Sequence, residues 1–378
     1  MFYILPFSHS WLECLPVAIL AAFIAGGCLP LKTSISQSQT FSLPESIALP
    51  EDCVHAELSP DNKWLACSRT SRGETQAGLW LIEIATRQMT AVALNQESQM
   101  SASGEVLEEG ITHTYPLWSP DSRYLAFFSF KGLEPGSEYN LWIVGISDLA
   151  DRKSLYESET PIIAAAWSPN GSKIALADTT GNLTLVDPSG HSEELADRDV
   201  AVYPLGANAL AWSSDGSKLA YPASSSGGGL TLWSMDLLTG DRVSLLRTMQ
   251  QDRIFIPAWS PDGKTTAVLS GRYSAEGLSE NPQLVWIDSN GAIVEEVPLE
   301  DFELDLTATL VWSPKGNELA AVLRKGIALD AYLIALKDGR TRPLTDSGDI
   351  KEIIKWTPDG RSVVISTWDA IKLLSITE

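Results

Sequence analysis

The chain has 378 residues, 48 acidic against 27 basic, for a formal charge of −21. An excess of that sign excludes a surface that tracks phosphates, so nucleic acid is not an expected partner, and its most direct consequence is solubility. Length alone would suggest two or three domains, but near copies of one short motif recur along the chain, and units of fixed period share one continuous core.

In chain order, Leu15 to Gly27 is an apolar run that ends in small residues directly before Cys28. It reads as a targeting segment and is set aside from the fold. Ala25-Gly26-Gly27-Cys28 resembles the lipobox of bacterial lipoproteins, with Ala25 where that family usually has Leu and no Lys or Arg ahead of the run. The resemblance implies a signal peptide of residues 1–27, cut before Cys28, and a lipid on Cys28. An uncleaved anchor is the alternative, although the run is shorter than the roughly 20 apolar residues a spanning helix needs. Either reading exports the rest of the chain to the periplasm or the cell surface. Residues 28–39, with their Ser, Gln and Thr, read as a polar tether, and 40–378 as the folded body. Cys53 and Cys67 flank the first motif on segments expected to pair. A disulfide between them is permitted in an oxidising compartment, and two small buried thiols are the alternative.

The motif is clearest as Trp259-Ser260-Pro261-Asp262-Gly263. Its copies begin at Leu58, Trp118, Trp167, Trp212, Trp259, Trp312 and Trp356, in steps of 60, 49, 45, 47, 53 and 44 residues. Ser-Pro-Asp-Gly supplies what a type I turn wants at each position. Asn62 and Ser122 stand where Gly belongs; Asn tolerates a left-handed backbone, whereas Ser122 predicts a slightly different turn. Short apolar runs precede and follow every turn as strands A and B. A third run such as Leu141 to Ile146 or Leu284 to Ile287 gives strand C, and a weaker one such as Val243 to Leu246 gives strand D. Four short antiparallel strands repeated seven times, with no helical periodicity between them, predict an all-β, seven-bladed β-propeller. The repeated Trp is expected to fill the core between neighbouring blades.

Trp-Ser-Pro-Asp-Gly followed by an apolar strand and a Leu-Trp-Ile or Leu-Val-Trp strand resembles the WD-like repeats of TolB-like propellers, from about Cys53 to the C-terminus. That resemblance implies the fold, and a role in scaffolding or protein contacts or as a propeller attached to a peptidase. The last unit carries only strands A to C, so its edge needs cover; Thr40 to Leu43 is the expected closing strand D.

In such a blade the A–B and C–D turns emerge on one face of the disc and the B–C and D–A loops on the other. The A–B turns are all one motif, whereas the B–C and D–A loops differ in length and sequence, and rigidly held variable loops are where binding residues concentrate. The expected partner-binding residues are Glu105, Glu108, Glu109 and His113 around the 95–112 loop, Arg272, Tyr273 and Glu276 in another, and Asp301, Glu303 and Asp305 in a third. Tyr and Arg would anchor a basic protein or peptide on that acidic ground. The alternating carboxylates from Asp301 to Asp305 resemble a calcium loop but lack its Gly and its bidentate Glu, so no metal is expected. Catalysis finds little support. His191 lies in a C–D turn away from His113, while His55 and His113 would neighbour one another near the channel, and no Gly-x-Ser-x-Gly elbow occurs. The expectation is therefore a monomeric, non-catalytic propeller without cofactor; the alternative is a glycan-active hydrolase or lyase with carboxylates at the channel mouth.

Overall fold

The computed structural model describes residues 43–70, 76–101, 106–132, 137–195, 200, 210–225, 228–248, 252–273, 279–304 and 309–376. The signal and tether expected over 1–39 lie outside them. Seven four-stranded antiparallel sheets form the blades of a β-propeller, and a two-stranded hairpin stands apart. Their innermost A strands, Cys53–Leu58, Ile111–Trp118, Ile162–Trp167, Ala211–Trp212, Asp252–Trp259, Leu310–Trp312 and Ile350–Trp356, succeed one another around the axis. Among the described residues no helix is long and apolar enough to cross a membrane.

Burial runs outward along each blade. In blade 3, Ile174–Asp178 and Leu183–Val186 are buried at every position, whereas the outer Ser192–Glu194 is exposed throughout. The middle strands are apolar on both sides because a neighbouring blade covers each side, so the core lies between blades.

The motif closes each A–B corner in one way. The amide of the fourth turn residue donates to the carbonyl of the first at 2.8–3.0 Å in all seven copies. The Ser or Thr hydroxyl donates to the Asp or Asn carboxamide or carboxylate two residues on at 2.6–2.8 Å, and accepts the amide five residues on. The hydroxyl holds Asp215, Asp262 and Asp359 below the usual carboxylate range. Where Lys315 replaces the Asp, Asn317 takes over as acceptor from Ser313 at 3.0 Å.

Ser122 corrects one expectation: its turn is the same as the others. Its φ of 59° matches Asn62 at 63° and the glycines at 65–72°. A left-handed Ser costs backbone energy, and its hydroxyl offsets part of that by accepting the Asp61 amide of the preceding blade at 3.0 Å.

The repeated Trp does more than fill space. Six indoles, all buried, donate Nε1–H to the carbonyl of the residue before the motif in the preceding blade: Trp118 to Glu57, Trp167 to Leu117, Trp212 to Ala166, Trp259 to Ala211, Trp312 to Ala258 and Trp356 to Val311, at 2.8–3.1 Å. At the seventh junction, between blades 7 and 1, Leu58 has no donor. There Lys355 reaches across and its Nζ donates to the Ser59 and Pro60 carbonyls at 3.0 and 3.2 Å. Beneath it, Ile354, Val364 and Ile371 of blade 7 pack with Ala56, Leu58 and Leu65 of blade 1.

Ring closure by an N-terminal strand holds, but the strand is Ser46–Ala48 rather than Thr40 to Leu43. It pairs antiparallel with Ala370–Ser375, Ile47 opposite Ile371. Two features select it. Ile47 is buried in the junction core, and Pro44 and Pro50 bracket the segment, restricting pairing to the residues between them. Leu43 packs on the same core outside any strand, and residues 40–42 lie outside the described ones.

Candidate functional site

The loop face begins with the insert between blades 1 and 2. Gln96 and Ile111 bridge its base, and Gln99–Met100 pairs with Val106–Glu108 as a hairpin that the loop's polar composition concealed. Exposed Glu108 accepts from Gln99 Nε2 at 3.0 Å, and the Glu109 carboxylate packs against Gly132 of blade 2. Glu105 lies outside the described residues. His113 is built into the wall instead of standing on the surface. Its amide donates to Asn95 Oδ1 at 2.8 Å, its ring meets Phe127 edge-on at 5.9 Å, and its Nδ1 is buried with no partner. Burial, with help from Arg152, pushes its pKa down to about 4, so the ring is neutral. His55 packs on Tyr115 at 4.4 Å and lies 3.5 Å from Thr114 Oγ1; the two histidines occupy adjacent inner strands, each with other ring partners.

The second set of expected residues belongs to blades 5 and 6, on the opposite side of the ring from the first. Exposed Arg272 sits in a strand between Asp252 and Glu280 in register, and Tyr273 ends that strand opposite Ser279. Glu276 and Asp305 lie outside the described residues. The alternation from Asp301 to Leu304 turns the apolar side chains inward: Leu304 is buried and Phe302 packs edge-on against Tyr332 at 4.8 Å. Asp301 is left 3.9 Å from Lys325, and Glu303 bonds through its backbone to Arg324. Among the described residues no group of His, Cys, Asp and Glu converges to hold a metal.

Two residues that the sequence reading passed over define a third region. Ile327 sits at the tip of the two-residue B–C turn of blade 6, 96 % exposed, and Trp368 at the B–C turn of blade 7, 72 % exposed. Their turns are rigidly built. Gly326 takes a φ of 63°, and the Thr367 hydroxyl donates to Asp369 Oδ1 at 2.7 Å while accepting the Ala370 amide at 3.1 Å. Met100, Val106 and Val54 add exposed apolar groups to the same face. The opposite face exposes Leu238 in the C–D turn of blade 4, and Ile293 and Val294 where strand D of blade 5 leaves its C–D turn. A signal existed in the sequence: Trp368 falls outside the motif position and between two turn-forming polar residues, where no strand could bury it.

The closing junction gathers the other uncommon chemistry. The residue before the motif is Leu, Ala, Ala, Ala or Val in blades 2–6 but Glu57 in blade 1 and Lys355 in blade 7. Burial, reinforced by the charge of buried Glu352 and opposed by Lys355, pushes Glu57 up to about 8. Burial pushes Lys355 down to about 8 against the pull of Glu57 and Asp61. On the loop side of the same junction Cys53 and Cys67 are joined as a disulfide, Cα atoms 5.8 Å apart.

No protein-family model and no curated protein matches the sequence. Solved structures do match in fold. A chain of the mitotic checkpoint complex is 13 % identical with a TM-score of 0.56, over 92 % of this chain and 100 % of that one. Oligogalacturonate lyase from Vibrio parahaemolyticus is 14 % identical with a TM-score of 0.54, over 88 % and 92 %. TolB from Acinetobacter baumannii is 19 % identical over 80 % and 78 %, with a TM-score of 0.42. At these identities the likeness to the first two shows the propeller fold alone, and one fold hosts both an assembly component and a lyase.

Proposed function

We propose that this protein is a non-catalytic, extracytoplasmic β-propeller that binds a protein or peptide partner through its B–C and D–A loop face. One observation carries the reading. Large apolar side chains stand exposed at the tips of hydrogen-bonded turns on that face, above all Trp368 and Ile327, whereas the A–B turns consume their polar groups internally. Preorganised aromatic and aliphatic anchors are what a protein-binding surface needs. The lipobox resemblance at Cys28 and a Cys53–Cys67 bridge support export to an oxidising cell envelope, with a lipid on Cys28 as the membrane anchor and the chain a monomer.

The test is quantitative capture from envelope extracts with three forms of the chain: wild type, Trp368→Ala combined with Glu108→Lys, and Leu238→Ala. Recovery of the same partners lost in the second form and kept in the third is expected; equal recovery in all three refutes the reading. Intact mass of membrane-extracted protein reads the lipid on Cys28, and Cys28→Ser is expected to release the chain to the soluble fraction.

The glycan-active reading has one observation in its favour, the proton held by Glu57 beside Glu352. Against it, Glu352 is buried and the Lys355 amine is already bonded to two backbone carbonyls, so these groups are engaged in closing the ring. Glu57→Gln is expected to leave no glycan-cleaving activity to lose; an activity that disappears in that variant would revive this reading.

A further inference from the structure

The loops of blades 6, 7 and 1 are bonded into one continuous surface. The Leu329 amide beside the Ile327 turn donates to the Gly348 carbonyl; Ile350 pairs with Thr367, next to Trp368; the Leu49 amide donates to the Asp369 carbonyl at 2.7 Å; and the Thr70 amide donates to the Asp52 carbonyl at 3.0 Å. Along this arc the apolar groups Ile327, Trp368 and Val54 alternate with the exposed carboxylates Asp346, Asp369 and Glu51. Lys325, the cation at the start of the Ile327 turn, is turned toward Asp301 and the Phe302 ring. Beneath the arc two buried carboxylate oxygens lack a donor: Asp52 gives Oδ1 to both Arg69 nitrogens while its Oδ2 has none, and Asp349 Oδ1 has none either.

We infer that the blade 6–7–1 arc is the docking site, and that its occupant is a segment of another protein carrying basic side chains around an apolar anchor. This rests on the loop-face reading and narrows it to one arc and one chemistry. Charge complementarity selects the occupant. A second copy of a chain with a formal charge of −21, an anionic lipid surface or a nucleic acid would bring like charge to a carboxylate-lined surface. Lys or Arg donors meet Glu51, Asp346 and Asp369, and an aromatic or aliphatic residue between them covers Trp368 and Ile327. The rigid turns leave little of this surface to be ordered on binding.

The experiment selects random twelve-residue peptides displayed on phage against the full exported chain, then measures the affinities of synthetic versions at physiological salt. The arc predicts enrichment of Lys or Arg flanking an aromatic or aliphatic residue. It also predicts an affinity loss of about tenfold or more in Trp368→Ala and again in Glu51→Lys/Asp369→Lys, with Leu238→Ala unchanged. Circular dichroism melting of each variant separates lost binding from lost folding. Peptides that lack basic residues, or an empty selection, would overturn the inferred chemistry. Peptides that tolerate the arc substitutions but lose binding in Glu108→Lys or Arg272→Glu would overturn the arc and leave the loop-face reading standing. Peptides indifferent to every loop-face substitution would end both.

Discussion

The two faces of the disc are built on opposite rules. On the A–B face the motif bonds its Ser or Thr and its Asp or Asn within the turn and, in six of its seven copies, clasps the preceding blade through the Trp, so those side chains have internal tasks. On the B–C and D–A face the backbone is just as well bonded, but Trp368, Ile327 and Asp369 point outward from it. The difference teaches where a repeat protein keeps its individuality: sequence that must be repeated to close the ring is unavailable for recognition, and recognition moves to the loops that closure leaves unconstrained.

Substitution should break the faces in different ways. The largest effect is expected at an A–B latch. Trp312→Ala removes a buried indole from the blade 5–6 core and the bond to Ala258, and should cost about 3–5 kcal/mol in urea unfolding. Trp368→Ala on the loop face should change stability by less than about 0.5 kcal/mol; a comparable loss there would erase the distinction.

The closing junction comes next. Lys355→Met leaves the Ser59 and Pro60 carbonyls without their donor and should cost about 1–3 kcal/mol. The same junction gives the A–B side a pH signature. Glu57 keeps its proton up to about pH 8 when folded, against its ordinary 4.5, so the folded chain binds the extra proton and stability falls as pH rises toward 8. Lys355 shifts the other way, from 10.5 to about 8, so stability recovers as pH rises from about 8 toward 10.5. His113, depressed from 6.5 to about 4, acts below 6.5 and raises stability with pH there. Unfolding midpoints should therefore fall from pH 6.5 to a minimum near 8, and Glu57→Gln should flatten that limb. A monotonic rise through the window in wild type would contradict the coupling.

The smallest effect sharpens the reading of the turn itself. Ser122→Ala keeps the left-handed backbone and loses the bond from Asp61, costing about 1 kcal/mol. Ser122→Gly loses the bond but relieves the backbone, and should stay within about 0.5 kcal/mol of wild type. Equal losses in the two would mean that the left-handed backbone carries no strain, and no loss in either would mean that the hydroxyl carries no weight.

The fold was legible because its information is local and repeated: Ser-Pro-Asp-Gly fixes each turn, and the spacing of the Trp residues fixes the blades. What stayed hidden depends on junctions between distant segments. Leu58 and Lys355 lie nearly the whole ring apart in sequence, and their exchange of the latch for an amine becomes visible only when blade 7 meets blade 1. The closing strand was misplaced by a few residues because three-residue pairing leaves little pattern; Ile47 is selected by a core that forms only on closure. For the site, charge draws attention to Glu108 and Asp301, which lie on opposite sides of the disc. Trp368 and Ile327 were passed over because a short turn looks uninformative until its tip is seen to be exposed.

Hydrogen exchange on the full chain, free and with a bound partner or selected peptide, compares the two faces in one measurement. Slowed exchange confined to the B–C turns around 326–329 and 366–370 and the adjoining 49–54 segment is the predicted result. Slowed exchange at the Ser-Pro-Asp-Gly turns instead, with those segments unchanged, would contradict it.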